Sequence, residues 1–262
     1  MSRVATRLGH PTVALGFLGG TTRVEVAGLL DAEGVLTWFR TVEGQTRTNP
    51  VIQNAAGEQL RVIAPVPTID PGAAGQLWDA LFALRPPDFL VLSGSLPGNI
   101  PADFLERALV RARQDGVRVA VDADGEELRR LVTAGADLIK PNRYELERLV
   151  GRPLPREDDV RAACEEVLAL GAGAVAVSLG EQGALLVRPD GAWRAVPPRV
   201  EVRSPVGSGD SMLAGLCVRL AEGWEVLEAL RYGVACGTAT ATTPGTELCS
   251  QAGVEALFPQ VE

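Results

Sequence analysis

The amino-acid sequence predicts an α/β sandwich built on a mostly parallel sheet. Short apolar runs that read as buried strands alternate with stretches of helical periodicity along most of the 262 residues. At 46% hydrophobic and 22% charged residues, the chain has an ordinary globular composition and enough length for one large core. No internal repeat, linker or low-complexity tract divides residues 1–262, which read as a single domain.

The elements follow in order. Val13 to Leu18 is an apolar run closed by Gly19 and Gly20, a strand and a turn. Residues 22–33 suit a helix and residues 35–40 a strand. Two β-rich runs, 46–53 and 58–64, flank Asn54-Ala55-Ala56-Gly57 and predict a hairpin. That hairpin breaks the strand–helix rhythm, so residues 35–64 are expected to form a lid. The rhythm resumes with a helix over 71–84, a strand over 89–93, and a helix over 101–114 with proline in its first turn. A strand over 117–121, a helix over 126–133 and a short strand at 138–139 come next. Helices are predicted over 143–150 and 157–170, and a strand over 174–178. Residues 184–187 and 193–196 read as antiparallel edge strands joined by Pro189-Asp190-Gly191. Helices over 208–221, 225–242 and 252–257 complete the chain. Ligands in such folds bind beyond the carboxyl ends of the strands, so the loops after Ser93, Val121, Ile139, Ser178 and Val202 are the candidate site.

The formal net charge of −8 argues against a general nucleic-acid binder, which needs a basic face. The four cysteines contain no CxxC pair and lie largely in or beside apolar helical stretches, so buried reduced thiols are expected. The single histidine, His10, sits in a turn-like GHP and cannot build a zinc site alone. No signal peptide and no run of 18 apolar residues is visible, and a cytoplasmic protein with no membrane partner is expected.

The chemically richest segment is Ser204-Pro205-Val206-Gly207-Ser208-Gly209-Asp210-Ser211. It is expected to follow a strand and open an amphipathic helix. Its glycines let backbone N–H groups converge, and a helix N-terminus adds positive field, which suits a phosphoryl group. Asp210 reads either as an ordinary N-terminal carboxylate or as a general base. The loop is not GxxxxGK[ST], so it is not a Walker A sequence. In Lys140-Pro141-Asn142-Arg143-Tyr144-Glu145, Asn142 and Glu145 have the spacing of a capping box.

The run VGSGDSMLAG resembles the signature of the ribokinase-like, or PfkB, carbohydrate kinases. The resemblance implies a three-layer α/β/α sandwich with a partial β lid, and ATP and Mg²⁺ as cofactors. It makes Asp210 the catalytic base and Gly207, Ser208 and Gly209 the anion hole. Residues 140–145 resemble the family's KPNxxE run, which implies that Asn142 and Glu145 organise Mg²⁺ through water and that Lys140 serves the nucleotide. Ser178-Leu179-Gly180-Glu181-Gln182-Gly183 resembles the nucleotide loop, implying ATP contacts at Ser178, Gly180 and Gly183, with Gly237 on the late helix beside them.

Thr46-Arg47-Thr48-Asn49 is similar to the run found in the 1-phosphofructokinase and tagatose-6-phosphate kinase branch, as is Ser93-Gly94-Ser95-Leu96-Pro97-Gly98. The implied substrate contacts are Arg47, whose guanidinium forks onto a phosphate, together with Asn49, Ser95 and Asp210. Asp122-Ala123-Asp124-Gly125-Glu126 departs from the branch's DTSGE-like run, and Asp124 would repel phosphate if it faced the pocket. Fructose 1-phosphate is the expected acceptor, with tagatose 6-phosphate second. The resemblance enters the family pattern at Arg3 to Gly9. It implies that a strand with a sugar-binding aspartate and a GKGxNxA turn precede this point in a longer native chain. A shortened relative that binds sugar phosphate or nucleotide without turnover is the alternative, and a homodimer stays open. A kinase of unphosphorylated sugars or nucleosides fits Arg47 poorly, and a Rossmann dehydrogenase lacks its early GxGxxG.

Overall fold

The computed structural model describes residues 1–53, 59–62, 64–83, 86–94, 96–97 and 99–262. They fall into two compact units, residues 1–12, 85–95 and 105–262 in the first, and residues 13–84 and 96–104 in the second.

The first unit is a three-layer α/β/α sandwich. Its sheet has the order β10-β9-β8-β7-β6-β5. The strands β5 (Phe89–Ser93), β6 (Arg118–Asp122), β7 (Leu138–Ile139) and β8 (Val175–Ser178) run parallel, while β9 (Ala184–Arg188) and β10 (Gly191–Ala195) are antiparallel additions. Side chains alternate across the sheet. Ala120, Leu138, Ala176, Ala184 and Leu186 face one core, shared with α1 (Ser2–Arg7), α8 (Ser208–Ala221), α9 (Val226–Ala241) and α10 (Gln251–Leu257). Their neighbours Val119, Val121, Ile139, Val175, Val177 and Leu185 are buried on the opposite face. There α5 (Gly125–Thr133), α6 (Arg143–Val150) and α7 (Glu157–Ala169) pack on the strands. Leu128, Leu131 and Leu146 on these helices are fully buried, each contributing about 1.5–3 kcal/mol.

The helix α4 (Phe104–Gln114) starts three residues later than the sequence suggests. Pro101 instead closes a turn in which the Phe104 N–H donates to its carbonyl at 2.9 Å. The strand expected before Ser204 is absent: residues 196–203 are irregular, and Val196 pairs with Glu262 through two backbone hydrogen bonds of 2.8 and 3.0 Å. Two prolines, Pro197 and Pro198, deny that segment ladder donors. The four cysteines are buried and free, as expected. His10 Nε2 lies 3.0 Å from a Glu222 carboxylate oxygen.

The second unit holds a βαβ element: β1 (Val13–Gly19) and β2 (Leu36–Val42) pair in parallel, in register from Val13 opposite Leu36, with α2 (Thr22–Ala32) between them in sequence. The helix α3 (Pro71–Ala83) packs on both strands. The expected antiparallel pair is present but short, β3 (Val51–Gln53) against β4 (Gln59–Arg61). Residues 46–50 are irregular rather than strand, because Pro50 has no N–H and Thr46 is drawn onto Gly19. The expected turn at residues 54–57 lies outside the described residues. Among the described residues, no helix is long and apolar enough to cross a membrane.

Candidate active site

The parallel strands of the first unit end together. The register sets Ser93 opposite Asp122 and Val121 opposite Ile139, and a bridge joins Asn142 to Ser178. Four chemically distinct ends are thereby brought to one edge of the sheet: Asp122 from β6, Lys140 after β7, Asn142 opening α6, and Ser178 from β8.

Lys140 is the centre of this set. Its N–H donates to the Val121 carbonyl at 3.0 Å, continuing the ladder past β7. Its ammonium is 3.2 Å from an Asp122 carboxylate oxygen, and its side chain is only 5% exposed. A buried ammonium needs such a counter-charge. Burial pushes the Asp122 carboxyl above its ordinary value, against the pull of Lys140, and the nearby Asp210 carboxylate pushes it further up.

The ammonium also reaches the start of α8. A Cβ on Gly209 would stand 3.2 Å from Lys140 Nζ, so the absent side chain is the space the lysine fills. Gly207 forms the N-cap in the left-handed region, with φ 80°, where a side chain would be strained. No side chain caps this helix start; the Ser208 N–H donates to the Pro205 carbonyl at 3.3 Å, which leaves the Gly209 and Asp210 N–H groups of the first turn for a ligand. Asp210 stands in that first turn, half-buried. The Ser208 hydroxyl is buried and has no hydrogen-bond partner. Gly237 lies beneath the turn in α9: a Cβ there would be 3.0 Å from the Ser208 carbonyl oxygen, so its structural contact is with the backbone of α8.

The capping box expected at Asn142 is formed. The Asn142 Oδ1 accepts from the Glu145 N–H at 2.9 Å, and Glu145 Oε2 accepts from the Asn142 N–H at 2.8 Å. Burial raises the Glu145 carboxyl, opposed by that backbone hydrogen bond and by Lys140. Beyond β8, Gly180 and Gly183 bound a short 3₁₀ turn in which the Leu179 N–H donates to the Gly183 carbonyl at 2.7 Å. Arg143 reaches across from α6 to Gln182 at 2.7 Å and ties that turn to the capping box.

Asp124 does not stand as a bare carboxylate. It caps α5 by accepting from the Gly125 N–H at 2.6 Å and pairs with Arg148 of α6. The feared repulsion is offset by an arginine 24 residues away, a partner that the local sequence does not reveal. Sequence reasoning also missed Asp122 as the counter-ion of Lys140; the signal was a carboxylate ending an apolar strand in an α/β fold.

Arg47 and Asn49 belong to the second unit. Thr46 is clamped to Gly19, its hydroxyl accepting from the Gly19 N–H at 2.8 Å and donating to the Gly19 carbonyl at 3.0 Å. Arg47 follows this fixed point, half-buried, and lines an open cavity with Thr46, Thr48, Asp70 and Gln76. Asn49 Oδ1 accepts from the Ala64 N–H at 3.0 Å and so joins the segments that flank the β3–β4 pair. Ser95 lies outside the described residues.

Magnesium needs few protein ligands, because it keeps several waters and takes phosphate oxygens. Among the described residues, no three His, Cys, Asp or Glu side chains form a metal cage. The hard oxygens of Asp122 and Glu145, which lie near Lys140 and each other, fit a largely hydrated ion held in part by nucleotide. The uncapped α8 N-terminus with Lys140 against it fits the phosphates of ATP.

The model of the pfkB family of carbohydrate kinases matches residues 1–252. The chain is 36% identical over 261 residues to ATP-dependent 6-phosphofructokinase isozyme 2 of Escherichia coli, covering 98% of this chain and 84% of the relative. It is 30% identical over 262 residues to 1-phosphofructokinase of Bacillus subtilis, covering 100% and 85%. The crystal structure of phosphofructokinase-2 from Escherichia coli in complex with substrates and products superposes with a TM-score of 0.93 at 35% identity, over 99% of this chain and 85% of that one.

Proposed function

Because the chain belongs to the pfkB family of carbohydrate kinases, we propose that it transfers the γ-phosphoryl group of ATP to a fructose monophosphate, with fructose 1-phosphate as acceptor and fructose 1,6-bisphosphate as product. The observation that carries this reading is the start of α8, where Asp210 stands in an uncapped first turn with the Lys140 ammonium against Gly209.

In this reading the Asp210 carboxylate takes the proton of the acceptor hydroxyl as its oxygen attacks the γ-phosphorus. The bond from that phosphorus to the β–γ bridging oxygen breaks, and ADP leaves with the electron pair. The N–H groups of Gly207 and Gly209, the Ser208 hydroxyl and the Lys140 ammonium hold the charge on the transferring group, which is where such preorganised donors act most strongly. Asp122 keeps Lys140 in place. Asn142 and Glu145 would hold Mg²⁺ through water, and the ion would supply charge neutralisation on the phosphates. Ser178, Gly180 and Gly183 shape the turn that receives the nucleotide, and Gly237 lets α9 support the anion hole. Arg47, following the clamped Thr46, grips the phosphate already on the sugar, and Asn49 and Ser95 orient the sugar.

A second acceptor, fructose 6-phosphate, is favoured by the similarity to 6-phosphofructokinase isozyme 2. The deciding experiment measures ADP release with ATP, Mg²⁺ and each of fructose 1-phosphate, fructose 6-phosphate, tagatose 6-phosphate and unphosphorylated fructose. Selective turnover of fructose 1-phosphate supports the reading. Preference for fructose 6-phosphate moves the assignment to the second acceptor, and preference for fructose itself removes Arg47 from its role. Tight sugar-phosphate binding without ADP, in a folded sample, replaces a kinase with a silent binding protein.

A further inference from the structure

The segment that follows β5 carries Asn99. It belongs to the second unit, as do all the residues that line the cavity beside Arg47. The Ile100 N–H donates to the Pro97 carbonyl at 3.0 Å, and Ile100 itself is buried. That turn fixes the backbone at Asn99. The side chain is fixed as well. Asn99 Oδ1 accepts from the Ile69 N–H at 3.0 Å, and Asn99 Nδ2 donates to the Ile69 carbonyl. The amide thus meets both polar groups of one backbone residue, as a neighbouring strand would. Those two partners also fix which end of the amide is oxygen and which is nitrogen. Ile69 is fully buried, and the next residue, Asp70, caps α3 by accepting from the Ala73 N–H at 3.1 Å. The amide is therefore anchored to a rigid part of the unit.

These two bonds do not exhaust it. A carboxamide has two N–H donors and two acceptor lone pairs. Among the described residues, Ile69 takes one of each, which leaves one N–H on a group whose orientation is already set. Other polar groups of the cavity are committed. Thr46 spends its hydroxyl on both backbone groups of Gly19, and one Asp70 oxygen serves the Ala73 N–H. Asn99 is exposed and lines the cavity together with Arg47. The cavity volume is about 1260 Å³, above the roughly 300–1,000 Å³ of ordinary small-molecule pockets. A sugar phosphate would not fill it, so fixed polar groups rather than fit of shape must orient one. A donor held in place beforehand loses little freedom on binding, and more of its hydrogen bond appears as affinity.

We infer that Asn99 is a specificity-determining residue of the acceptor site, donating its second amide N–H to a ring hydroxyl of the phosphorylated sugar while Arg47 takes the phosphate. The inference rests on the acceptor reading above, and the hydroxyl follows by elimination. In a fructose monophosphate, one of carbons 1 and 6 bears the phosphate and the other bears the hydroxyl to be phosphorylated. Carbon 2 is closed into the ring. Carbons 3 and 4 keep ordinary hydroxyls, and one of these is the partner of Asn99. A sugar without that hydroxyl leaves the amide donor unpaired, which is how such sites reject the analogue.

The test is a cycle between protein and ligand. Calorimetry without ATP measures Kd for the full chain, for Asn99→Ala and for Asn99→Asp. The ligands are whichever of fructose 1-phosphate and fructose 6-phosphate the parent binds more tightly, and its 3-deoxy and 4-deoxy forms. Asn99→Asp keeps an oxygen for the Ile69 N–H and lacks both amide donors, so it preserves a backbone contact where alanine loosens the fold. In the parent, one deoxy sugar should bind roughly three- to tenfold more weakly than the complete sugar, the worth of one neutral hydrogen bond. In both variants the complete sugar should bind at least that much more weakly, and removal of the same hydroxyl should cost nothing further. The KM for ATP should not change. An equal cost of that hydroxyl in parent and variants means a merely structural role and overturns the inference, as does unchanged binding by Asn99→Ala. A parent that binds both deoxy sugars as tightly as the complete one also overturns it. A parent that binds neither fructose monophosphate overturns the inference and the acceptor reading together. If the parent binds one yet releases no ADP with ATP and Mg²⁺, the kinase reading fails while the dissociation constants still decide Asn99.

Discussion

Replacing Gly209 with alanine should separate stability from turnover. The residue is the second of α8, where alanine is favoured over glycine by roughly 0.5–1 kcal/mol. For a chain of this size that corresponds to a rise in melting temperature of about 1–4 °C. The new methyl group would lie 3.2 Å from Lys140 Nζ and 3.7 Å from its Cε. Only the end of a flexible side chain is in the way, so the ammonium retreats by about 0.3 Å rather than the backbone moving. If a misplacement on the order of 1 Å costs roughly 10²-fold, this retreat costs roughly fourfold in kcat/KM. Thermal unfolding by circular dichroism and ADP release measured on the same preparation provide the assay. A variant that melts several degrees lower, or that gains stability at full turnover, would refute the placement of Lys140 against the phosphoryl group. Gly237→Ala makes the contrast: its Cβ would meet the Ser208 carbonyl oxygen at 3.0 Å, a backbone atom that cannot swing aside. Overpacking there should cost about 1–3 kcal/mol, and stability and turnover should fall together.

Asp210→Asn should lower kcat by about 10²–10⁴-fold with the fold intact; turnover within a few-fold of the parent would remove Asp210 as the base. Arg47→Ala should raise the KM for a phosphorylated acceptor by roughly 10–10²-fold, the equivalent of one charge-assisted contact, and leave the KM for ATP unchanged. Equal losses for phosphorylated and unphosphorylated sugars would show that Arg47 is not the phosphate contact. Glu145 is held above its ordinary value of 4.5 chiefly by burial. A raised carboxyl adds stability that is full below pH 4.5 and is lost as pH rises through the folded-state value. Glu145→Gln keeps an oxygen for the Asn142 N–H and should flatten that part of the stability–pH curve in urea titrations. An identical pH slope in the variant would contradict the raised value.

Much of the site was legible because its determinants are local. The capping box of Asn142 and Glu145 spans three residues, and the α8 start needs only a left-handed glycine, small neighbours and an aspartate in sequence. Strand ends at Ser93, Asp122 and Ile139 were readable from where apolar runs stop. The strand expected before Ser204 failed for a physical reason: Pro197 and Pro198 remove two donors, and the backbone groups of Val196 and Arg203 are taken by Glu262 and Ala241 rather than by a strand. The antiparallel pairing of β3 with β4 was found, yet residues 46–50 proved irregular, because Thr46 bonds to Gly19 across a sequence gap that periodicity does not register.

By itself, then, the sequence determined the alternation of strands and helices, the helix caps, and the glycine turn at Gly207 to Asp210, since each depends on backbone geometry within a few residues. Tertiary structure alone decided which charges neutralise each other. Lys140 meets Asp122 across neighbouring strands, and Arg148 meets Asp124 across neighbouring helices. Such pairings are set by strand register and helix packing, which sum many weak contacts over the whole sheet and leave no mark at the residues themselves.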